Sequence, residues 1–279
     1  MSNITAADVA KLRKQSGAGM MDCKSALQEA DGDFEKAFEI LRKKGAKVAA
    51  KRADKEATEG FVVAKTTDDK TYGAIIMVNC ETDFVGKSED FVNFVKNLSD
   101  LAIAKKPATI EELKSYNLGS ITVEQALNEL VGKTGEKIEF DSFGAINAPK
   151  VYAYNHLGNK IGTLAGLSKD TSDVDLKGHE VAMQIAAMNP IAIDKADVPQ
   201  DVIEKELEIG KELARQEGKP EAMLEKISQG RLTKFFKEST LLNQEFIKDN
   251  KVSIGEYLKA SDKDLTVTKF YRFALGSKF

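Results

Sequence analysis

Few residues in this 279-residue chain have the types and spacing that chemistry needs. The only two histidines, His156 and His179, have no metal-ligand company and no paired Ser or Cys nucleophile motif. Gly132-Lys133-Thr134 matches the end of a phosphate-binding loop, but Leu127 stands where the earlier glycine is required and a helical pattern precedes it instead of a strand. Ile161-Gly162-Thr163-Leu164-Ala165-Gly166 lies inside a strand pattern and lacks the dinucleotide fingerprint. Asp31-Gly32-Asp33 lacks the spaced carboxylates and distant Glu of a calcium loop, so it reads as a turn. Cys23 and Cys80 stand alone and suit small buried hydrophobes in a reducing cytosol. The remaining carboxylates fall on solvated helix faces. No catalytic constellation emerges; the chain reads as a non-enzyme without cofactor or metal.

One stretch stands apart, Asn79-Cys80-Glu81-Thr82-Asp83-Phe84-Val85. Ala74-Ile75-Ile76-Met77-Val78 before it is apolar at successive positions and predicts a strand buried on both faces. After it, Ser88 opens a segment with Phe91, Phe94, Val95, Leu98, Leu101 and Ala102 at helical spacing. An acid and an aromatic therefore sit where a buried strand becomes a helix, with Gly86 letting the chain reverse. Such a junction can aim a rigid side chain outward from a firm scaffold. In the other reading Asp83 caps the helix and Phe84 folds back into its own core. On these residues alone the second is favoured, because Phe is among the more often buried side chains.

Forty-one basic residues against forty-four acidic ones leave a net charge of -3, which argues against a general nucleic-acid binder. No apolar run approaches ~18 residues, so no membrane span is expected. The start, Met-Ser-Asn-Ile-Thr, lacks the features of a signal or transit peptide, and a cytoplasmic location is expected.

The positioning elements follow in order. Thr5 and Asp8 form a capping box with Ile4 and Val9 as its staple, and Gly17-Ala18-Gly19 ends that helix. A second helix places Met20, Cys23, Leu27 and Ala30 on one face. Asp33 caps a third carrying Phe34, Ala37, Phe38 and Leu41, with Gly45 placed to end it. The basic run Arg42, Lys43, Lys44, Lys47, Lys51 and Arg52 reads as the solvated face of an alanine-rich helical linker, in preference to an RNA contact. From Glu59 strands take over: a hairpin turning at Asp68-Asp69-Lys70, then the Ser88–Lys105 helix, then helical patches near Ile110–Leu118 and Val123–Val131. Lys137–Ile146, Lys150–Leu157 and Lys160–Leu167 predict three strands of a second sheet, followed by a helix through Val181 and Ile185. Hairpin then helix thus occurs twice, as in two similar α+β halves. Ile203, Leu207, Gly210 and Leu213 form one thin stripe and Met223, Leu224 and Ile227 its return, divided by Gly218-Lys219-Pro220, which predicts an antiparallel helical hairpin. Ser253 and Glu256 cap a short helix, and Leu265, Val267, Tyr271, Phe273 and Leu275 alternate toward one face of a final strand. The expected division is 1–54 helical docking domain, 55–140 first core half, 141–197 with 233–279 second core half, and 198–232 arm.

These pieces resemble the bacterial elongation factor Ts family over essentially the whole chain. Leu12-Arg13 through Gly17-Ala18-Gly19-Met20-Met21-Asp22-Cys23-Lys24 and Asn79–Val85 carry the likeness. Lys160-Ile161-Gly162, Gly218-Lys219-Pro220, Gly230-Arg231, Lys234-Phe235, Leu241 and Gln244 support it. The resemblance implies an α+β protein with a ubiquitin-associated-like three-helix domain, a two-part α+β core with antiparallel sheets and a projecting antiparallel helical hairpin. It implies guanine-nucleotide exchange on elongation factor Tu, with dimerisation of the complex associated with the arm. By the same likeness Phe84 is a wedge into the partner's G domain, near its magnesium and switch region, and Asp83 a polar contact within Thr82–Val85. The weighting of Phe84 then reverses, to the exposed state. Ile161 and Gly162 would touch the same G domain, and Met20, Met21, Cys23 and Lys24 would form the N-terminal docking surface. Gln184, where the family often has a His, is carried as a contact that cannot become cationic. The chain stops soon after Phe270–Leu275, so the C-terminal helical module of some relatives is expected to be missing.

Overall fold

The protein is described by a computed structural model covering residues 4–277; residues 1–3 and 278–279, the outermost parts of the first and last predicted segments, lie outside the described residues. Helix α1 (Ala6–Ser16) begins at the expected capping box: Thr5 Oγ1 accepts from the Asp8 amide, and the Asp8 carboxylate accepts from the Thr5 amide. It stops at Gly17, φ 68°, a left-handed conformation that glycine adopts without strain. α2 (Met20–Glu29) follows, and Asp33 caps α3 (Phe34–Lys51) by accepting from the amides of Glu35 and Lys36. Val9, Leu12, Cys23, Ala26, Leu27 and Ala37 form their small core. Met20 leaves the predicted apolar face of α2 and is 56% exposed.

The hairpin β1 (Glu59–Thr66) and β2 (Tyr72–Cys80) turns at Lys70, φ 56°. One turn of helix, α4 (Asp83–Gly86), leads to α5 (Glu89–Lys105), which opens at Ser88 as predicted, with the Ser88 side chain as its cap. Next come α6 (Ile110–Ser115), a small unpredicted ribbon of β3 (Asn117–Leu118) and β4 (Ile121–Thr122), and α7 (Val123–Thr134). Strands β5 (Ile138–Asn147), β6 (Lys150–Asn155) and β7 (Ile161–Leu167) precede α8 (Val174–Met188). Two long helices, α9 (Gln200–Gln216) and α10 (Glu221–Ser239), precede β8 (Glu245–Phe246), β9 (Asp249–Ser253), α11 (Ile254–Lys259) and β10 (Val267–Ala274).

Two three-stranded antiparallel sheets, β1-β2-β5 and β10-β7-β6, stack face to face. Val62, Ile75, Met77 and Ile146 of the first meet Val151, Leu164 and Phe273 of the second. Because strand side chains alternate, Ala74, Ile76, Val78 and Cys80 point the other way and pack under Phe91, Val95 and Leu98 of α5 and Val131 of α7. On the far face of the second sheet, Ala165 and Leu167 pack with Val181 and Ile185 of α8 and with Ile254 and Leu258 of α11. The layers run helix, sheet, sheet, helix. The central strand of each sheet is covered on both faces, which explains the unbroken apolar runs of β2 and β7.

Four expectations need correction. β5 pairs with β2, from Tyr72↔Asn147 to Cys80↔Ile138, and β10 pairs with β7 in the second sheet. The boundary between 140 and 141 therefore cuts β5; Pro149, with no amide to donate, follows that strand and separates it from β6. In β10 a bulge between Val267 and Lys269 inverts the alternation. Leu265, Val267 and Phe270 consequently join the α8–α11 cluster, while Tyr271, Phe273 and Leu275 face the first sheet. Gly45 does not end α3, which runs on through the alanine-rich linker. A Cβ there would lie 2.8 Å from the Asn128 carbonyl oxygen and 3.4 Å from Gly132 Cα, so the glycine serves the close crossing of α3 and α7. Gly132 and Lys133 accordingly sit in the helical side of that crossing. Finally, α10 passes the predicted arm limit at 232. α9 and α10 lie antiparallel, with Lys211 to Glu225 at 3.1 Å and Arg231 to Glu217 at 2.6 Å. Their seam is made by Gly210, Ala214, Leu224 and Ser228, while Leu213 is exposed.

A candidate protein-docking site at the end of strand β2

From Asn79 onward the chain leaves the sheet with almost every group held. Asn79 Nδ2 donates to the Glu59 carbonyl at 3.4 Å, and Cys80 Sγ to the Thr82 carbonyl at 3.1 Å. Burial pushes the Cys80 thiol up to about 12, so it is a neutral packing group here. Glu81 receives a two-point contact from Arg52, the C-cap of α3, with Nε and Nη2 each at 2.5 Å. The Lys137 amide also donates to Glu81, at 2.5 Å. These contacts, the Arg52 fork foremost, lower the Glu81 carboxyl to about 2. Thr82 is clamped by Glu136, its amide donating at 3.0 Å and its hydroxyl at 2.6 Å, while Thr82 Oγ1 caps α4 by accepting from Val85.

Asp83 pairs with Lys87 one turn on, at 2.6 Å, and that hydrogen bond is the main reason its carboxyl lies below the ordinary value. Val85 packs half-buried against the first core half. Gly86 lies flush against the sheet: a Cβ there would be 3.3 Å from Cys80 Sγ. On this fixed base Phe84 is 84% exposed. The alternative in which Phe84 folds into its own core is excluded. Thr82 and Ser88, not Asp83, supply the helix caps.

The second core sheet exposes a large apolar side chain of its own. The turn between β6 and β7 carries Leu157, 90% exposed, followed by Gly158, Asn159 and Lys160. These three help to line a cleft together with Asp83, Gly86 and Lys87 and with Gly60 and Phe61 of β1. Sequence reasoning absorbed Leu157 into a strand; the signal available was the Leu-Gly-Asn turn composition.

The other sequence-derived residues divide sharply. Met21 is 71% exposed and lies with Met20 and Lys24 on the outside of α2. Cys23 is fully buried in the three-helix core, so it supports that surface from behind and cannot itself touch a partner. Ile161 is half-buried. Gly162 is buried between the sheets, where a Cβ would lie 2.7 Å from Val62 Cγ1, and it presents no surface. Gln184 is fully buried: Nε2 donates to Gln244 Oε1 and to the Glu245 carbonyl, and Oε1 accepts from the Ile247 amide at 3.0 Å. It ties α8 to β8 and cannot reach a partner. The parts that sequence reasoning missed are the supports, Arg52 and Glu136, which come from distant segments.

Among the described residues no group of three His, Cys, Asp or Glu could hold a metal ion, and no helix is long and apolar enough to cross a membrane. What the junction offers chemically is a stiff apolar probe with a charged rim.

The family model described as Elongation factor TS matches residues 81–277. An elongation factor Ts of Christiangramia forsetii is 51% identical over 99% of this chain and 100% of its own length. One from Amoebophilus asiaticus is 51% identical over 98% and 99%, and one from Cytophaga hutchinsonii 50% over 99% and 100%. The likeness read from the Leu12–Lys24 and Asn79–Val85 stretches therefore extends along the whole chain, and the chain belongs to the elongation factor Ts family.

Proposed function

We propose that this chain is the guanine-nucleotide exchange factor for elongation factor Tu in translation elongation, acting in the cytoplasm, and that it promotes GDP release by driving Phe84 into the partner's G domain near the magnesium and switch region. The observation that carries the reading is the exposure of Phe84, 84%, on a junction whose neighbouring groups are nearly all hydrogen-bonded or packed. Asp83, oriented by Lys87, sets the approach of the ring. Thr82 and Val85 hold the one-turn helix beneath it. Met20, Met21 and Lys24 of the ubiquitin-associated-like domain, residues 1–54, form a second docking surface. The hairpin of α9 and α10 is a projecting arm associated with dimerisation of the complex. Neither a membrane nor direct contact with nucleic acid enters the mechanism.

No covalent step is involved. An exchange factor must bind the empty partner better than the GDP-loaded one, and linkage makes the effect reciprocal. Each tenfold loss of GDP affinity requires about 1.4 kcal/mol of differential binding. Burying one Phe side chain supplies roughly 1.5–3 kcal/mol, one or two decades. The rest comes from the partner's lost magnesium and phosphate contacts, driven by the two docking surfaces together.

The test is release of a fluorescent GDP from elongation factor Tu, followed by stopped flow with and without the chain, beside binding to GDP-loaded and empty partner. Faster release and preference for the empty form are expected. Equal binding to both forms with unaltered release would identify a passive scaffold and defeat the proposal.

A further inference from the structure

Gly132-Lys133-Thr134, which lacks the pattern of a phosphate loop, stands where the three-helix unit meets the core. A Cβ at Gly132 would lie 3.0 Å from Gly45 Cα, so α7 and α3 cross with no room for a side chain between them. One turn earlier on α7, Glu129 pairs with Arg42 of α3 at 3.0 Å. Lys133 lays its stem over the turn between α1 and α2: a Cβ at Gly17 would lie 2.8 Å from Lys133 Cδ. Its ammonium continues to the Asp90 carboxylate, in the first turn of α5. Glu129, Gly132 and Lys133 share one face of α7 by helical spacing, and that face seats the three-helix unit.

Helix α3 makes the other connection. Phe38 and Leu41 pack in the three-helix core, and Val48 and Ala49 pack against the first core half. From Leu41 to Lys51 the helix advances about 15 Å without a break. Its C-cap, Arg52, forks Glu81. Glu81 and Asp90 lie on either side of the Thr82–Gly86 turn. Each is paired to a basic residue that also fixes the three-helix unit, Arg52 as the end of α3 and Lys133 through Gly17. The Met20–Met21 surface and the base of Phe84 therefore belong to one frame.

We infer, resting on the exchange-factor reading, that Lys133 and Arg52 are positioning residues for exchange. They hold the Met20–Met21 surface and Phe84 at a fixed spacing, so that both seat together only on a partner whose nucleotide site has opened. Rigidity is what makes the docking differential. On a loose tether each surface could seat separately on the GDP-loaded partner, and docking would strengthen binding of both forms alike. A fixed spacing withholds part of that binding until the G domain opens, so contact at α2 works against GDP.

The experiment uses the full chain with elongation factor Tu. Lys133→Met keeps the stem over Gly17 and removes the ammonium, while Lys133→Arg keeps the charge. These, the Lys133→Met/Arg52→Ala pair, and Met21→Ala in the wild-type and paired backgrounds are compared. Thermal melting, binding to empty and GDP-loaded partner, and the maximal rate and half-saturating concentration of fluorescent GDP release are measured. The paired variant should bind GDP-loaded partner at least as tightly as wild type, while its maximal release rate falls about tenfold. Lys133→Arg should behave as wild type. Met21→Ala should lower the maximal rate in the wild-type background and only raise the half-saturating concentration in the paired one. A wild-type maximal rate in the paired variant would overturn the inference. Equal loss of affinity for both partner forms would overturn it too, because a merely structural change weakens both. Should the paired variant melt early, spin labels attached through Glu29→Cys and Lys96→Cys decide without it: one narrow distance distribution is expected, broadened by Lys133→Met. A distribution already broad before that substitution would refute the fixed frame. Failure of the wild-type chain to accelerate release would instead remove the exchange reading, and it is seen before any substitution is made.

Discussion

Phe84→Ala separates the proposed wedge from the scaffold that carries it. The ring is 84% exposed, so its loss removes few contacts within the chain. The Thr82 clamp, the Asp83–Lys87 pair and the contact of Gly86 with Cys80 all survive the change. Folding stability should therefore move by no more than about 0.5 kcal/mol, as for surface substitutions generally. If the ring enters the partner's G domain as proposed, it goes from exposed to enclosed, a transfer worth roughly 1.5–3 kcal/mol. At about 1.4 kcal/mol per decade, GDP release at saturating factor should slow by one to two decades. The equilibrium side must agree. Reciprocity requires that the preference of the variant for empty over GDP-loaded partner shrink by the same factor as its effect on GDP affinity. Stopped-flow release of a fluorescent GDP gives the first quantity and titration of both partner forms the second. Wild-type release from a normally folded Phe84→Ala protein would refute the wedge. A large fall in melting temperature would refute the premise that the ring makes no fold-stabilising contact.

Four further outcomes follow from the supports of the site. Arg52→Ala should raise amide hydrogen exchange across residues 81–87 and slow GDP release, and Arg52→Lys should not restore either, because an ammonium cannot reproduce the two-point contact with Glu81; unchanged exchange would mean the fork does not stiffen the junction. The Glu81 carboxyl is lowered from 4.5 to about 2, chiefly by Arg52, so its contribution is complete above the unfolded value and is lost as pH falls through about 2. Acid melting curves of wild type and Glu81→Gln should accordingly converge across that window, and a gap that persists at its bottom would contradict the assignment. Gly45→Ala would gain about 1 kcal/mol from helix propensity alone, but its Cβ would fall 2.8 Å from the Asn128 carbonyl oxygen, so the melting temperature should drop. Gln184→Ala should cost about 1–3 kcal/mol of stability by leaving the Ile247 amide and its other partners unpaired, with GDP release by the folded fraction unchanged; impaired release at full stability would make Gln184 a contact after all.

Local physics made much of the fold legible. The Thr5–Asp8 and Ser253–Glu256 capping boxes and the helix start at Ser88 are set by residues within a turn of one another, and all three stand where they were read. The doubly buried strand β2 announced itself by an apolar run with no polar face. What failed was non-local. Nothing within β5 says that its partner is β2 rather than the adjacent β6, and the bulge in β10 shifts a phase that simple alternation assumes constant. Gly45 misled because one residue type serves two purposes: a glycine that would end an isolated helix also admits a second helix, and only the position of α7 decides between them.

The site divides along the same line, and the division has a mechanical reason. A wedge can convert burial into loss of GDP only if the backbone beneath it does not yield; ordering a loose loop at the moment of contact would consume the differential binding that exchange requires. Stiffness must come from residues that never meet the partner. Cys23 fills the core behind the Met20–Met21 surface, Gly162 lets the sheets close beneath the Leu157 turn, and Gln184 fastens α8 to β8. Each was read as a contact because a motif marks what a function depends on, without separating the probe from its mount. Leu157 is the reverse case, an exposed side chain whose place is decided by the left-handed residues after it and by Asn159 reaching β1. Its exposure follows from contacts spread over distant segments, Val62 and Leu275 among them, and no single stretch of sequence contains them all. A family motif can therefore lead to Phe84 while leaving an exposed side chain such as Leu157 unmarked.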